Sequence, residues 1–169
     1  MRLDGDDWAR YFREFKRSAF RLEGQPIYTM PDEQDEIRDF LAGRLPPDGY
    51  HYDWLDTVKE AAQKGRPIQR VRVVTRPLNE YVRYEFAYGY DFNVPAGEDI
   101  RIVDATESDP GLPAEDFWLF DEATVVRMLY RTDGTQIGRE LVESPDLTQY
   151  LGWRDLALAH SVPYAEYQH

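Results

Sequence analysis

Hydrophobic positions in the first half of the chain recur mostly at the spacing of helices. Apolar side chains three or four residues apart predict helices over 6–18, 31–43 and 53–65, because such side chains share one helix face. Glycines mark the predicted ends of the second and third of these helices. The segment AFRLEG, which follows the first helix, has the composition of an extended strand.

The second half of the chain contains shorter segments in which apolar and polar residues alternate, as in strands. Five segments are predicted to be strands: IQRVRVV, EDIRIVD, DFWLF, TVVRMLYR and IGRELVE. The dipeptide Asp133-Gly134 separates the last two and is typical of a tight hairpin. DFWLF is apolar on both of its sides, which indicates a strand buried on both faces of the sheet.

Helices are predicted between the second-half strands and after them. One begins at Pro77 and runs to about Tyr88, and the segment GYDFNVPAG after it has the composition of a loop. The final helix is predicted to have Ser144 as its cap and Pro145 at its first position. Most of its circumference is apolar, so we expect it to be deeply packed.

This order of elements predicts the fold class. Helices, a strand, a helix, several strands and a final helix indicate one α/β (α+β) domain over 1–169. It has N-terminal helices over 1–65 and a sheet-containing core over 66–169. The sheet is expected to be mixed, with antiparallel C-terminal hairpins and helices packed on its faces. The strand–helix–strand unit over 68–103 is expected to join parallel strands.

Composition and charge exclude several classes of function. The chain has 169 residues, 32 acidic and 20 basic, for a formal net charge of −12, which disfavours direct nucleic-acid binding. It has no cysteine and three histidines, so no metal site and no cofactor is expected. No apolar run has the length of a membrane span, and the N-terminus lacks a signal-peptide core. We therefore expect a cytoplasmic protein without membrane contact.

Known catalytic motifs are absent from the sequence. It contains no glycine-rich phosphate loop, no metalloprotease motif, no calcium-binding loop and no nucleophile elbow. No catalytic residue is therefore assigned.

The residue with the strongest functional signal is Glu85, on the helix that follows Pro77. It has the same helical spacing as the apolar positions Leu78, Tyr81 and Val82, and a carboxylate on a buried face is costly unless it is paired. This position predicts that Glu85 meets a basic side chain from a neighbouring strand.

Two strand arginines are the candidate partners. Arg72 lies between two valines and Arg101 between two isoleucines, so both arginines are expected to point to one layer, and Glu85 is expected to meet at least one of them. Two interpretations stay open. The centre is either a buried ion pair that fixes helix register or a polar pocket for a small anion or polar ligand, with Tyr88 and Asn93 nearby.

Four strings of the sequence resemble a family of actinobacterial proteins of unassigned function. They are WLDTVKEAAQKGRPIQRVRVVTRPLNEYVRYE, AGEDIRIV, DFWLFDEATVVRMLY and RDLALAHSVPYAEY. The resemblance extends over nearly the whole chain, from AFRLE to PYAEY. Members of that family are frequently encoded beside helix-turn-helix regulators of the Xre type. The resemblance therefore implies a regulatory or toxin–antitoxin-like role, by association.

The layout also resembles, more weakly, a non-catalytic phospholipase D-like fold, around the phrase DGTQIGRELVESPDL. Catalytic members of that fold need a His-x-Lys motif, in which histidine attacks phosphate and lysine stabilises its charge. His51 is followed by Tyr-Asp and His160 by Ser-Val, so neither position supplies the lysine. The resemblance therefore implies that phosphodiester hydrolysis is absent.

These observations predict a non-enzymatic cytoplasmic regulatory or interaction module. Its expected partner is a helix-turn-helix transcription regulator, or it senses a small polar ligand. The alternative is an enzyme that acts on a phosphate-containing or nucleotide substrate through Arg72, Glu85 and Arg101.

Overall fold

Seven strands form one mixed sheet in the computed structural model, which describes residues 1–169. The strands are β1 Ala19–Glu23, β2 Ile68–Val74, β3 Asp99–Asp104, β4 Asp116–Phe120, β5 Thr124–Tyr130, β6 Gln136–Leu141 and β7 Val162–Pro163. Their order across the sheet is β6-β5-β4-β1-β2-β3-β7. The pairs β1–β2 and β2–β3 are parallel and the others are antiparallel. The predicted α/β class with a mixed sheet is confirmed.

The helices cover both faces of this sheet. They are α1 Gly5–Glu14, α2 Gln34–Leu41, α3 Asp53–Gln63, α4 Glu80–Glu85, α5 Asp91–Ala96 and α6 Leu147–Ala159. Short 3₁₀ turns occur at Pro31–Glu33 and Tyr164–Glu166, and a π-helical turn at Phe86–Tyr90 joins α4 to α5. The first 65 residues are not only helical, because they also supply β1 near the middle of the sheet.

The first helix and the helix after β2 do not have their predicted bounds. The first helix ends at Glu14 and not at residue 18, because Phe15 adopts an extended backbone and its side chain enters the core. The helix after β2 begins at Glu80 and not at Pro77, because the side chain of Asn79 accepts a hydrogen bond from the backbone of Val82 and caps it.

The predicted loop GYDFNVPAG is mostly helical. It forms the end of the π-helical turn and all of α5, and Gly97 ends the helix at φ +123°. Glycine and Pro95 indicated a loop, but Tyr90 and Asn93 are buried within this segment. Their burial within the protein outweighs the local preference of the sequence.

The final helix is less buried than its composition indicated. Asp146, and not Ser144, caps it by accepting a hydrogen bond from the backbone of Gln149. Only Tyr150 and Ala157 are fully buried, because α6 forms an outer layer and contacts the sheet with one side. The prediction of deep packing was therefore wrong.

The hairpin predicted at Asp133-Gly134 is confirmed between antiparallel β5 and β6. Gly134 has φ +88°, a conformation that favours glycine. A Cβ atom at this position would lie 2.4 Å from the carbonyl oxygen of Ile27. The turn therefore depends on glycine for both its backbone angle and its close approach to the neighbouring loop.

The two faces of the sheet have different cores. The face under α6 is one apolar cluster built from alternate strand residues such as Phe20, Leu22 and Phe117. The opposite face has two apolar clusters, one near α1 and α3 and one near α4 and α5. Charged side chains of the central strands lie between these two clusters. None of the helices combines the length and the apolar character of a membrane span.

Candidate functional site

A group of charged side chains is buried on the face of the sheet that α1 to α5 cover, and we call it the buried charge layer. It contains three arginines and four carboxylates: Arg21 and Glu23 of β1, Arg70 and Arg72 of β2, Asp116 of β4, Glu85 of α4, and Glu98 before β3. Burial of so many charges is costly unless each is paired.

Strand register explains why these residues meet. In the parallel pair β1–β2, Arg21 lies beside Arg70 and Glu23 beside Arg72. Side chains alternate between faces along a strand. Phe20 and Leu22 therefore point to the α6 side, while their charged neighbours point to the side that α1 to α5 cover. Every second residue of these paired strands points to the same face, and this alternation brings the charged side chains together.

Glu23 is the carboxylate to which all three arginines converge. Arg70 lies 3.2 Å from it, and Arg21 and Arg72 each lie 3.6 Å from it. The hydroxyl of Tyr90 also donates a hydrogen bond to it. Such convergence of positive charge requires Glu23 to be ionised.

The remaining carboxylates each pair with one arginine. Arg72 Nε donates to Glu85 Oε1 at 2.8 Å, and Arg70 Nη2 lies 2.9 Å from Glu98. Arg21 Nη2 donates to Asp116 at 3.2 Å. Each arginine thus joins two carboxylates, and the pairs form one connected network.

Glu23 and Glu85 have opposite protonation tendencies. Burial alone would raise the pKa of Glu23, but Arg70, Arg21 and Arg72 hold it well below its usual range. Burial raises the pKa of Glu85 well above its usual range, and Arg72 offsets this only in part. Glu85 therefore favours the protonated form, whereas Glu23 favours the ionised form.

A cavity of about 310 Å³ lies above the buried charge layer, and we call it the tyrosine cavity. It is bounded by 31–36, the segment 50–54, and the helical segment 80–96. Its lining includes six tyrosines and four carboxylates: Tyr50, Tyr52, Tyr81, Tyr84, Tyr88, Tyr90, Asp32, Glu33, Glu36 and Glu85. The π-helical turn contributes three consecutive lining residues, and such turns are frequent at functional sites.

The carboxylates at the mouth of the tyrosine cavity have aromatic and not basic neighbours. Glu33 accepts a 3.0 Å hydrogen bond from the hydroxyl of Tyr81, and Glu36 accepts hydrogen bonds from Tyr50 and Tyr84. Burial raises the pKa of Glu33 to about 7, although the hydrogen bond from Tyr81 opposes the shift. The cavity therefore has an acidic and aromatic character.

The structure brings four of the five predicted site residues together. Arg72 contacts Glu85 directly, as the helical spacing of Glu85 predicted. Glu85, Tyr88 and Asn93 line the tyrosine cavity, while Arg72 is fully buried beneath it. The hydroxyl of Tyr88 donates a hydrogen bond to the backbone carbonyl of Arg44, and the side chain of Asn93 accepts a hydrogen bond from Tyr52.

The expectation that Arg72 and Arg101 point to the same layer was wrong, and Arg101 does not contact Glu85. In the parallel pair β2–β3, Arg101 lies beside Val71, and Arg72 lies beside Ile102. Paired residues point to the same face, so the two arginines point to opposite faces of the sheet. Arg101 Nε instead donates to Ser161 Oγ at 2.8 Å.

Sequence reasoning missed most of the buried charge layer. Arg21 and Glu23 in β1, and Arg70 with Arg72 in β2, repeat at a spacing of two, which is the signal of one strand face. The pairing of β1 with β2 was not predicted, so the charged residues of the two strands were not assigned to one common face. No group of three or more His, Cys, Asp or Glu side chains is arranged to hold a metal ion.

The fold and site thus define an α/β domain with an ionised interior that opens to an acidic aromatic cavity. Residues 6–169 match the model of a domain of unknown function, DUF6879, and the chain belongs to that family. A search of curated proteins found no match.

Proposed function

We propose that this domain is a non-enzymatic cytoplasmic regulatory module that senses a small organic cation in the tyrosine cavity. The observation that carries this proposal is Glu33, a half-buried carboxylate that has tyrosine and carboxylates around it but no basic partner. Tyrosine faces attract cations, and nearby carboxylates add a Coulombic contribution.

The size and lining of the cavity fit a compact ligand. A volume of about 310 Å³ holds an alkylammonium or a guanidinium group with a short body. Tyr84 and Tyr88 are stacked with ring centroids 5.3 Å apart and form one aromatic wall. The only basic lining residue, Arg70, is already paired with Glu23 and Glu98. A cation is therefore favoured over a small anion at this site.

The cost of the buried charge layer also supports a binding role. Replacing buried ion pairs with apolar residues of similar volume is often neutral or stabilising, so a layer of this kind is weak evidence for stability alone. Glu85 joins the layer to the cavity, because it contacts Arg72 below and lines the cavity above. A cation beside Glu85 would draw its proton away and alter the charge balance of the layer.

The alternative was an enzyme acting on a phosphate-containing or nucleotide substrate. That reaction needed Arg72, Glu85 and Arg101 to converge, and Arg101 lies on the opposite face. The four carboxylates of the tyrosine cavity also repel phosphate. We therefore favour binding over catalysis at this site.

The regulatory output is proposed to pass to a protein partner. The resemblance to a family encoded beside Xre-type regulators names the candidate, and a net charge of −12 complements a basic DNA-binding protein. Co-purification of the domain with the regulator encoded beside it tests this step. We expect a complex that weakens as salt rises, and no complex at low salt would contradict it.

Isothermal titration calorimetry with tetramethylammonium and methylguanidinium tests the ligand class. We expect binding of at least one of these cations and none of acetate. Glu33→Gln should weaken binding about fivefold to tenfold, because one unit of charge leaves a partly desolvated cavity. Glu143→Gln, an exposed substitution outside the cavity, is the matched control and should change nothing. Equal affinity in Glu33→Gln, or binding of neither cation, would contradict the proposal.

A further inference from the structure

A second and larger cavity opens on the same face of the sheet, between α1, α3 and the central strands. Its volume is about 600 Å³. We call it the tryptophan cavity, because three of the four tryptophans in the chain line it: Trp8, Trp54 and Trp118. It shares only Trp54 and Arg70 with the tyrosine cavity, so these two residues form the wall between them.

The walls of the tryptophan cavity are aromatic. Phe12 packs edge-to-face on Trp54 at 5.1 Å and on Trp118 at 5.0 Å, and Trp8 packs on Trp118 at 6.2 Å. Trp8, Phe12 and Trp54 are only half-buried. Rings arranged at steep angles around an open space provide both faces and edges to a planar guest.

The floor of this cavity contains N–H donors that lack acceptors. Arg21 is 8% exposed and uses only Nη2, which donates to Asp116 and Tyr130, so Nε and Nη1 make no hydrogen bond within the chain. The buried indole Nε1 of Trp118 and Nε of Arg70 are also without acceptors. Buried donors are rarely left unpaired, because each costs free energy. The three atoms Arg21 Nε, Arg70 Nε and Trp118 Nε1 are enclosed by the protein, whereas Arg21 Nη1 is unpaired and not enclosed, so it is the donor that a ligand in the cavity reaches.

The charge around the tryptophan cavity has the opposite sign from that of the whole protein. Five basic residues line it, Arg13, Arg21, Lys64, Arg66 and Arg70, against two acidic residues, Asp53 and Glu60. Arg21 and Arg70 are paired with carboxylates of the buried charge layer and Lys64 with Glu60, so Arg13 and Arg66 carry the charge without a carboxylate partner. The protein as a whole carries −12. A local positive cleft in an acidic protein concentrates anions at that point.

We propose that the tryptophan cavity binds a small aromatic anion, a planar ring that carries a carboxylate, sulfonate or phosphate group. The ring packs among Trp8, Phe12 and Trp54, and the anionic group accepts hydrogen bonds from Arg21 at the floor. Lys64 at the rim supplies additional positive charge. This site is independent of the proposed cation site, because the two cavities differ in charge and share only Trp54 and Arg70 of their linings.

Naphthalene-2-carboxylate is a suitable probe, with neutral naphthalene-2-carboxamide and acetate as comparisons. Three of the four tryptophans line the cavity, while Trp153 packs on the opposite, α6 face and serves as an internal reference. In a ¹H–¹⁵N spectrum, we expect the indole signals of the three cavity tryptophans to shift and that of Trp153 to stay. The carboxamide should bind about tenfold more weakly than the carboxylate, and acetate alone should not bind.

Two exposed positions allow variants that leave the buried charge layer intact. Ala9 is an exposed residue of α1 that lines the cavity, and Ala9→Phe should block entry and weaken binding about tenfold. Lys64→Gln should weaken binding about twofold to threefold by removing rim charge, while Lys59→Gln, an exposed lysine of α3 outside the cavity, should not. Circular dichroism of each variant verifies that it is folded.

Three results would overturn the proposal. They are equal affinity for the carboxylate and the carboxamide, unchanged affinity in a folded Ala9→Phe, or a Trp153 shift as large as those of the cavity tryptophans. Glu33→Gln should leave binding of naphthalene-2-carboxylate unchanged. Failure at this site is therefore distinguishable from failure of the proposed cation site.

Discussion

The two faces of the central sheet use the same strands for different purposes. On the α6 side, alternate residues of β1, β2 and β4 are apolar and form one continuous cluster. On the face that α1 to α5 cover, the intervening residues of the same strands include the charged Arg21, Glu23, Arg70, Arg72 and Asp116, and apolar residues such as Ile68 and Trp118 lie beside them. The comparison indicates that the α6 face is held mainly by apolar burial, whereas the face under α1 to α5 combines apolar clusters with paired charges and carries the two cavities.

The contrast has an energetic consequence. Apolar burial stabilises the α6 face in proportion to the area removed from water, and it needs no particular ionisation state. The buried charge layer contributes only while each charge keeps its partner. Substitutions on the two faces should therefore differ in size and in their dependence on pH.

The largest expected effect is that of Arg72→Met. It removes the cation between Glu23 and Glu85, and breaking a buried pair costs about 3–5 kcal/mol of unfolding free energy. Arg101→Met on the α6 face is the matched control and should cost about 1 kcal/mol, for one side-chain hydrogen bond. Chemical denaturation measures both. Similar losses for the two variants would remove the distinction between the faces.

A smaller effect is the difference in unfolding free energy between substitutions of two carboxylates within the layer. Glu23→Gln should cost about 2–3 kcal/mol at pH 7, because it removes a charge that three arginines share. Glu85→Gln should change stability by less than about 1 kcal/mol, because it copies the protonated form that burial favours. Denaturation of both variants at pH 7 tests this. A larger loss in Glu85→Gln than in Glu23→Gln would show that the proton lies on the other carboxylate.

The smallest expected effect concerns Glu33 and pH. Burial raises its pKa from the usual 4.5 to about 7 in the folded protein, so the folded state holds the proton more tightly. The stability from this group is present below pH 4.5 and is lost as pH rises through about 7. Glu33→Gln should therefore be more stable than the parent at pH 8, by about 1–2 kcal/mol after allowance for partial solvent access.

Thermal unfolding of the parent and of Glu33→Gln between pH 5 and pH 8 measures this difference. The two curves should converge toward low pH, where Glu33 is protonated. The exposed variant Glu143→Gln should follow the parent at every pH. A constant offset between Glu33→Gln and the parent would rule out titration of Glu33 as its cause.

Much of the fold was predictable because it depends on local patterns. Strand periodicity identified β2 to β6, and the helical spacing of Glu85 predicted its contact with Arg72. The opposite orientations of Arg72 and Arg101 were not predictable without the register of β2 and β3, since a shift of one residue reverses the face. The helix α5 was missed because burial of Asn93 depends on tertiary packing.

The candidate site was predictable only in part for the same reason. A single strand shows which residues share a face, but it does not show which strand lies beside it. Glu23 became central because β1 inserts between β2 and β4, an arrangement made by residues far apart in sequence. The cavities likewise combine segments that are distant along the chain.

The most direct test is a ¹³C NMR titration of the Glu33 side-chain carboxyl, with and without tetramethylammonium. The account predicts a midpoint near pH 7 in the free protein, because the carboxyl is half-buried and has no basic partner. The midpoint should fall when the cation binds, because a nearby positive charge favours the carboxylate. A free-protein midpoint near 4.5, or one that saturating tetramethylammonium leaves unmoved, would contradict the account.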